Sequence, residues 1–339
     1  MPPITLNHSL PPPVRNNDFS RSPQPGEPAP ASPPVGPPHH NPQFPLPIPS
    51  PMAMDSTPDQ HALPDPDLQR FLDIATEAAL AGGAVLQAHW GTLDRHTIEE
   101  KGRPGDLVTV ADRASEAAVL AVIQRHLPHH SILAEESGFQ ATTTATAIDY
   151  LWAIDPLDGT TNYAHQYPFY GVSIALVIQG VPQVGVIYVP FFQELFRAAQ
   201  GLGATLNRQR IQVSSTATLE QSLLVTGFAY DRRETTDNNY REFCHLTHLT
   251  QGVRRGGSAS VDLAYVACGR LDGYWERGLS PWDLAAGVVL VREAGGQVTA
   301  YDQSPFDLPS GRILATNGHL QGELSAALAQ AQRHTLGLS

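Results

Sequence analysis

An α/β fold is what this chain of 339 residues predicts, and three observations carry the prediction. Stretches with apolar residues at helical spacing alternate with short apolar runs of strand length. Two of the short runs stop abruptly in carboxylates, Ser131 to Ala134 at Glu135-Glu136 and Tyr150 to Ile154 at Asp155. In α/β proteins strand ends are where ligands collect. Three further runs, Val172 to Ile178, Val184 to Val189 and Glu194 to Ala199, are divided by Gly180, Pro182 and Pro190 and read as an antiparallel meander.

Residues 1–60 stand apart from this pattern. They are dominated by Pro with Ser, Asn and Gly, as in Pro11-Pro12-Pro13 and Pro37-Pro38, and have no periodic apolar positions. Such a segment cannot bury enough surface to offset its ordering entropy, so it reads as a disordered tail with polyproline II character. An interaction role, as a ligand for SH3-like modules, is open to it. So is a targeting role, although it lacks an apolar core and Arg15 and Arg21 make a poor Arg-rich transit peptide. Translation from Met52 or Met54 is a further reading. The folded domain is expected over residues 61–339.

The first helix is expected from Asp67 to about His89, with Leu68, Phe71, Leu72, Ala75, Ala79 and Leu86 on one face and Asp65-Pro66 as a start signal. Gly82-Gly83 in its middle costs about 1 kcal/mol per glycine and points to close packing there. A Gly- and Pro-marked loop follows (Lys101-Gly102-Arg103-Pro104-Gly105), then a short extended piece from Leu107 to Val110. Asp112 opens the next helix, running to about His126, and taken alone it reads as a helix cap. Glu135-Glu136 alone reads as a solvated turn.

Trp152-Ala153-Ile154-Asp155-Pro156-Leu157-Asp158-Gly159-Thr160-Thr161-Asn162-Tyr163 is the stretch with most chemistry in it. Pro156 has no N–H for a ladder, so the strand is expected to end at Asp155. Asp158-Gly159 turns the chain, and Thr160-Thr161 starts a helix whose unpaired N–H groups favour an anion. One turn would thus offer carboxylates to cations and amides to a phosphate, although Asp-Gly is also an ordinary turn.

Beyond the meander, Asn207 to Gln212 and Leu223 to Thr226 are candidate strands, and Glu234 to about Leu249 a helix. His245 and His248 share a face of that helix, but neither a nearby carboxylate nor a third His completes a metal site. Arg254-Arg255-Gly256-Gly257-Ser258-Ala259-Ser260 leads into another helix, its small residues allowing a ligand close to the backbone. Leu271 to Glu276 reads as turn and strand. Ser280-Pro281-Trp282-Asp283 is a strong helix start, followed by a strand near Ile313 to Thr316 and a helix from about Leu320 to Gln332.

Lys and Arg total 21 against 33 Asp and Glu, a formal net charge of −12, which argues against a nucleic-acid backbone as partner. A phosphate monoester remains open, because cations held by carboxylates can bridge the repulsion. Two cysteines, Cys244 and Cys268, form neither a metal spacing nor a disulfide framework and fit a reducing cytoplasm. No apolar run is read as long enough to cross a membrane.

Lys101 with Asp106 to Asp112, Glu135-Glu136-Ser137, Trp152 to Tyr163, Trp275-Glu276 with Pro281 to Gly287, and Glu293-Ala294-Gly295-Gly296 resemble, in order, spacing and residue type, the inositol monophosphatase family. The resemblance covers roughly residues 67 to 335. It implies alternating α-β-α-β-α layers, as in inositol monophosphatase and fructose bisphosphatase, and a Mg²⁺-dependent, Li⁺-sensitive phosphomonoesterase, usually homodimeric, with two or three Mg²⁺ ions per site. By the same resemblance, Glu135, Asp155 and the carbonyl of Leu157 hold one ion, and Asp155, Asp158 and Asp283 a second. Glu136 and Asp112 stand beside them. Asp158, Gly159 and Thr160 receive the phosphate, while Glu276 and Gly257-Ser258-Ala259 contact the alcohol part. Glu135 and the Thr160–Asp112 pair orient and deprotonate the attacking water.

The physics agrees, since so many carboxylates in one place repel unless divalent cations neutralise them. Two cations about 3.5–4 Å apart acidify water and stabilise the leaving oxygen. Tyr163 stands where Phe is commoner in the family, and Pro281 where some members have Cys. The expected activity is hydrolysis of a myo-inositol monophosphate. Histidinol phosphate and fructose 1,6-bisphosphate are alternatives, 3′-phosphoadenosine nucleotides are disfavoured by the short Glu136-to-Asp155 spacing, and a non-catalytic scaffold is the reading from another class.

Overall fold

The computed structural model describes residues 66–94, 98–141 and 150–333. The stretch read above as a disordered tail lies outside the described residues. Helices α1 (Pro66–His89) and α2 (Val110–His126) form one outer layer. Between them a two-stranded ribbon, β1 (Glu99–Glu100) with β2 (Leu107–Val108), carries the Lys101 to Asp106 loop.

Next comes an eight-stranded sheet built from β3 (Ser131–Ala134), β4 (Gly138–Gln140), β5 (Tyr150–Asp158), β6 (Gly171–Ile178), β7 (Val181–Val189), β8 (Glu194–Ala199), β9 (Gly203–Leu206) and β10 (Gln209–Arg210), with the short helix α3 (Thr160–Ala164) after β5. Its order is β10-β9-β8-β7-β6-β5-β3-β4. The meander from β5 to β10 is antiparallel, whereas β3 runs parallel to β5. The residues after β10 supply β11 (Leu223–Thr226), α4 (Tyr240–Leu249) and β12 (Gly252–Arg254), then α5 (Ala259–Ala267), β13 (Gly273–Glu276), α6 (Pro281–Glu293), β14 (Gln297–Thr299), β15 (Ile313–Thr316) and α7 (Gln321–Arg333). The second sheet has the order β12-β11-β13-β15-β14.

Helices α5 and α6 pack between the two sheets, and α4 and α7 cover the far face of the second. The result is the expected α-β-α-β-α sandwich, with one apolar core around each helix layer. Leu72, Ile123, Trp152 and Ile174 fill the first, Ile187, Val261, Leu284 and Val289 the second, and Leu246, Trp275, Leu314 and Leu324 the third.

Close packing explains the α1 glycines. A Cβ on Gly82 would lie 2.8 Å from Ser115 Oγ, and one on Gly83 would lie 2.3 Å from the ring of Tyr188. By length and composition Asp67–His89 does meet what a bilayer-spanning helix needs, contrary to the reading that no run does. Half of that window is buried inside the fold.

Four boundaries differ from the sequence reading. Strand β5 runs through Pro156 to Asp158, because Asp155 pairs with Ser173 and Asp158 with Gly171, an extra residue that makes a bulge. The missing Pro156 N–H falls in that irregularity. The cap of α2 is Thr109, not Asp112, whose carboxylate lies one turn in and accepts the Thr109 N–H at 2.8 Å. Helix α4 starts at Tyr240 rather than Glu234, since Asn239 adopts φ +68° and sinks its amide between Thr226, Gly227 and Trp275. Strand β10 spans only Gln209–Arg210 of the expected 207–212. The short strands β4, β9, β12 and β14 were not foreseen.

Candidate metal and phosphate site

The bulge in β5 places Asp155 and Asp158 at one sheet end. Asp155 is buried, and its Oδ1 accepts the N–H of Leu157 at 2.9 Å, which folds the carboxylate back over the bulge. Gly159 follows with φ +94°, and a Cβ there would lie 3.0 Å from the carbonyl of Phe169 and 3.3 Å from that of Gly257. Only glycine fits that turn. It brings Thr160, the first residue of α3, directly beneath the carboxylates.

Asp158 rests against the start of α5. Its Oδ2 accepts from Ser258 Oγ at 2.8 Å, Ser260 N at 2.7 Å and Ser260 Oγ at 2.6 Å, so that one oxygen is fully committed. Asp283 arrives from α6. Its Oδ2 accepts the N–H of Ser280 at 2.7 Å in the first turn. Oxygen atoms of Asp155, Asp158 and Asp283 all lie within 4.8 Å of one another.

On the α2 side Asp112 is fully buried. Its Oδ2 accepts from Thr109 N and Thr109 Oγ1, the latter at 2.6 Å, and its Oδ1 faces Thr160 Oγ1 at 2.9 Å. The Thr160 hydroxyl is also 3.0 Å from the carbonyl of Leu157, so its single proton chooses between the two acceptors. Glu135 donates its backbone N–H to the carbonyl of Ile154 at 3.1 Å, and its carboxylate meets Lys101 Nζ at 2.8 Å. Lys101 also pairs with Glu136, whose backbone N–H donates to Glu116 Oε2 at 2.9 Å.

Glu276 closes the α5 side. It is buried, accepts from Tyr274 Oη at 2.6 Å, and lies where a Cβ on Gly227 would come within 2.1 Å of its oxygen. The loop before α5 is fixed by Asn162 Nδ2, which donates to the carbonyls of Phe169 at 2.7 Å and Gly256 at 3.0 Å. Gly257 has φ +88°, and Arg255 Nη1 lies 2.5 Å from where its Cβ would be. Ser258 and Ala259 sit at the head of α5, with the Ser258 hydroxyl turned to Asp158.

The structure thus brings Asp155, Asp158 and Asp283 together, ties Asp158 to Ser258 and Asp112 to Thr160, and leaves His245 and His248 apart on α4. Sequence reasoning left out Ser260, Lys101 as an ion-pair partner, Thr109 and Tyr274. The alternation of small and hydroxyl residues in Gly257-Ser258-Ala259-Ser260 is the signal that pointed nearest to Ser260.

Burial dominates the electrostatics. Asp155 is held well above the ordinary carboxylate range by burial, then by the charges of Glu135, Asp158 and Asp283. Asp283 follows for the same reasons, burial first and then Asp158 and Glu135. Asp158 is raised by burial against the pull of the Ser260 and Ser258 donors. Burial lifts Glu135 to about 7 despite Lys101, and Glu276 to about 7 despite Tyr274. Lys101 keeps its charge more firmly than usual, because Glu135 and Glu136 outweigh its own desolvation.

The acidic residues outnumber the cation supplied. The donors are hard oxygens throughout, the set that divalent cations of the Mg²⁺ and Ca²⁺ kind take. The site fits a metal.

An α-β-α-β-α sandwich in which strand β5 ends in such a cluster defines a metal-binding α/β protein. The model of the Inositol monophosphatase family matches residues 67–335, and the chain belongs to that family. It is 66% identical over 263 residues to "Inositol-1-monophosphatase" of Synechocystis sp., covering 78% of this chain and 90% of that protein. It is 44% identical over 252 residues to "Nus factor SuhB" of Pseudomonas aeruginosa, covering 74% and 92%. Among solved structures, the inositol monophosphatase from Anabaena (Nostoc) sp. superposes with a TM-score of 0.71 at 66% identity, covering 78% of this chain and 97% of that one.

Proposed function

We propose that this protein hydrolyses a myo-inositol monophosphate to inositol and phosphate with Mg²⁺. The observation that carries the reading is the Asp155, Asp158 and Asp283 cluster, its oxygens within 4.8 Å, with Glu276 close enough to feel the charge of Asp158. Glu135, Asp155 and the Leu157 carbonyl would hold one Mg²⁺, and Asp155, Asp158 and Asp283 would hold a second. Bound there, the ions neutralise the phosphate, activate water and stabilise the leaving oxygen.

The chain's own groups do the rest. With its proton turned to Asp112 Oδ1, Thr160 presents a lone pair to water, and the buried Asp112 takes the proton passed along that hydrogen bond. Glu135 orients the same water. The backbone N–H groups of Gly159 and Thr160 receive phosphate oxygens at the head of α3. Glu276, anchored by Tyr274, accepts a hydroxyl of the alcohol beside Gly257, Ser258 and Ala259. Glu136 with Lys101 supports Glu135 from behind. Water alone serves as nucleophile, and no Cys or Ser ester with phosphate is needed.

Phosphate release from myo-inositol 1-phosphate, histidinol phosphate, fructose 1,6-bisphosphate and 3′-phosphoadenosine 5′-phosphate tests this. The expected result is preference for the inositol ester, loss in EDTA, recovery with Mg²⁺ and suppression by Li⁺. Preference for another ester would overturn the substrate, and absence of metal-dependent release from all would overturn the chemistry. A homodimer in the cytoplasm, with the Pro-rich tail dispensable for turnover, completes the reading. Light scattering, fractionation and turnover of a chain lacking residues 1–57 test those points.

A further inference from the structure

The pairing of β11 with β13 ends where Thr226 faces Trp275 in parallel register, and Gly227 and Glu276 come next. Glu276 is still held on its other side, by Ile313 of β15. Gly227 has left the ladder, and one side chain holds it instead. Asn239 Nδ2 donates to the carbonyl of Gly227 and to Thr226 Oγ1, each at 2.7 Å, and its Oδ1 accepts from Trp275 Nε1 at 2.6 Å. Thr226 Oγ1 in turn closes on the carbonyl of Trp275. The amide thus uses both of its donors and ties the two strand ends together.

Asn239 departs from its local optimum to do this. It precedes the first turn of α4, where an Asn side chain ordinarily caps the helix, yet it makes no cap bond. Its backbone sits at φ +68°, a region few residues other than Gly and Asn enter. It is 3% exposed, and its amide reaches partners 12 and 36 residues away. What it holds lies directly under Glu276. A Cβ on Gly227 would lie 2.1 and 2.3 Å from the two oxygens of that carboxylate, so Glu276 rests on the bare backbone that Asn239 fixes.

We propose that Asn239 is a positioning residue for substrate recognition: through Gly227 it fixes the Glu276 carboxylate as acceptor for a hydroxyl of the alcohol part. The inference rests on the phosphatase reading above and adds what sets the place of that acceptor. Among the described residues the Asn239 side chain bonds only to Thr226, Gly227 and Trp275, none of them a proposed metal ligand. Its loss should therefore reach recognition of the alcohol and spare the chemistry.

Two variants test this. Asn239→Gly keeps the left-handed turn and removes the amide, whereas Asn239→Asp keeps the shape and sets an acceptor against the Gly227 carbonyl. Both are compared with wild type on myo-inositol 1-phosphate and on p-nitrophenyl phosphate, whose alcohol part carries no free hydroxyl, at saturating Mg²⁺. In either variant KM for the inositol ester is expected to rise about tenfold, with kcat, the Mg²⁺ activation constant and KM for p-nitrophenyl phosphate little changed. Added to Glu276→Ala, Asn239→Gly should raise KM for the inositol ester no further, because the two act on one contact. Equal losses on both esters, an unchanged KM for the inositol ester, or a full second loss in the Glu276→Ala background would each overturn the assignment. Loss of the native circular dichroism spectrum in both variants would overturn it too, by making Asn239 a residue of the fold alone. Wild-type protein inactive on both esters would overturn the phosphatase reading, and this inference with it.

Discussion

Ser260→Ala isolates the support of one carboxylate. Asp158 Oδ2 holds three donors, and the mutation removes the shortest of them, the Ser260 hydroxyl at 2.6 Å, while sparing the Ser260 N–H and the Ser258 hydroxyl. Nothing is inserted, and Ser260 is fully buried, so water does not replace the lost donor without rearrangement. A hydrogen bond to a charged group contributes about 1.5–3 kcal/mol. That contribution favours ionised Asp158, the form a cation requires.

Losing about 1.4 kcal/mol corresponds to one power of ten in an equilibrium constant. The Mg²⁺ activation constant should therefore rise about tenfold or more, in line with what loss of outer support does at metal sites. Turnover at saturating Mg²⁺ should stay within about threefold, since none of the reacting groups moves. The assay is phosphate release against Mg²⁺ concentration, paired with calorimetric titration of the metal. An unchanged activation constant with depressed saturating turnover would refute the reasoning, because it would place Ser260 in the chemistry rather than behind Asp158.

Gly185→Ala should cost about 1–3 kcal/mol by overpacking, since its Cβ would lie 2.4 Å from the carbonyl of Ala286 in α6; denaturant unfolding measures it, and a neutral result would mean that α6 can shift freely. Asp112→Asn presents an amide donor where Thr109 or Thr160 already donates, so kcat should fall about 100-fold or more, with the Mg²⁺ activation constant little altered. In EDTA the folded protein should lose stability as pH rises. Glu276, ordinarily near 4.5, is held at about 7, so the folded state binds the extra proton. Its stabilisation, about 3 kcal/mol, is complete below 4.5 and gone above 7. Thermal midpoints at pH 5.5 and 8 check the sign, and Mg²⁺ should restore more at the higher pH.

The proposed ligand positions are legible because their neighbours are punctuation: Pro156 and Gly159 around Asp158, Ser280-Pro281 before Asp283, a strand end before Glu135. The same punctuation misled at β5, where Pro156 seemed to end a strand that a bulge carries onward. Taken alone Asp112 reads as a cap, but Thr109 caps α2 and Asp112 turns inward to Thr160, a partner 48 residues away that the family resemblance, not the local sequence, supplies. Contacts of that kind leave no local mark. Ser260 reaches Asp158 across 102 residues, and Lys101 reaches Glu136 across 35. Short strands such as β12 and β14 exist because β11 and β15 offer them edges, a reason invisible in three-residue windows.

The most direct test is Asp155→Asn, which keeps shape and removes the charge shared by both proposed ions. Mg²⁺ titration by calorimetry and phosphate release from myo-inositol 1-phosphate would be measured on the same preparation, with circular dichroism to verify the fold. The account predicts a native spectrum, loss of Mg²⁺ binding and turnover reduced to background. Wild-type turnover and metal affinity in that variant would contradict it.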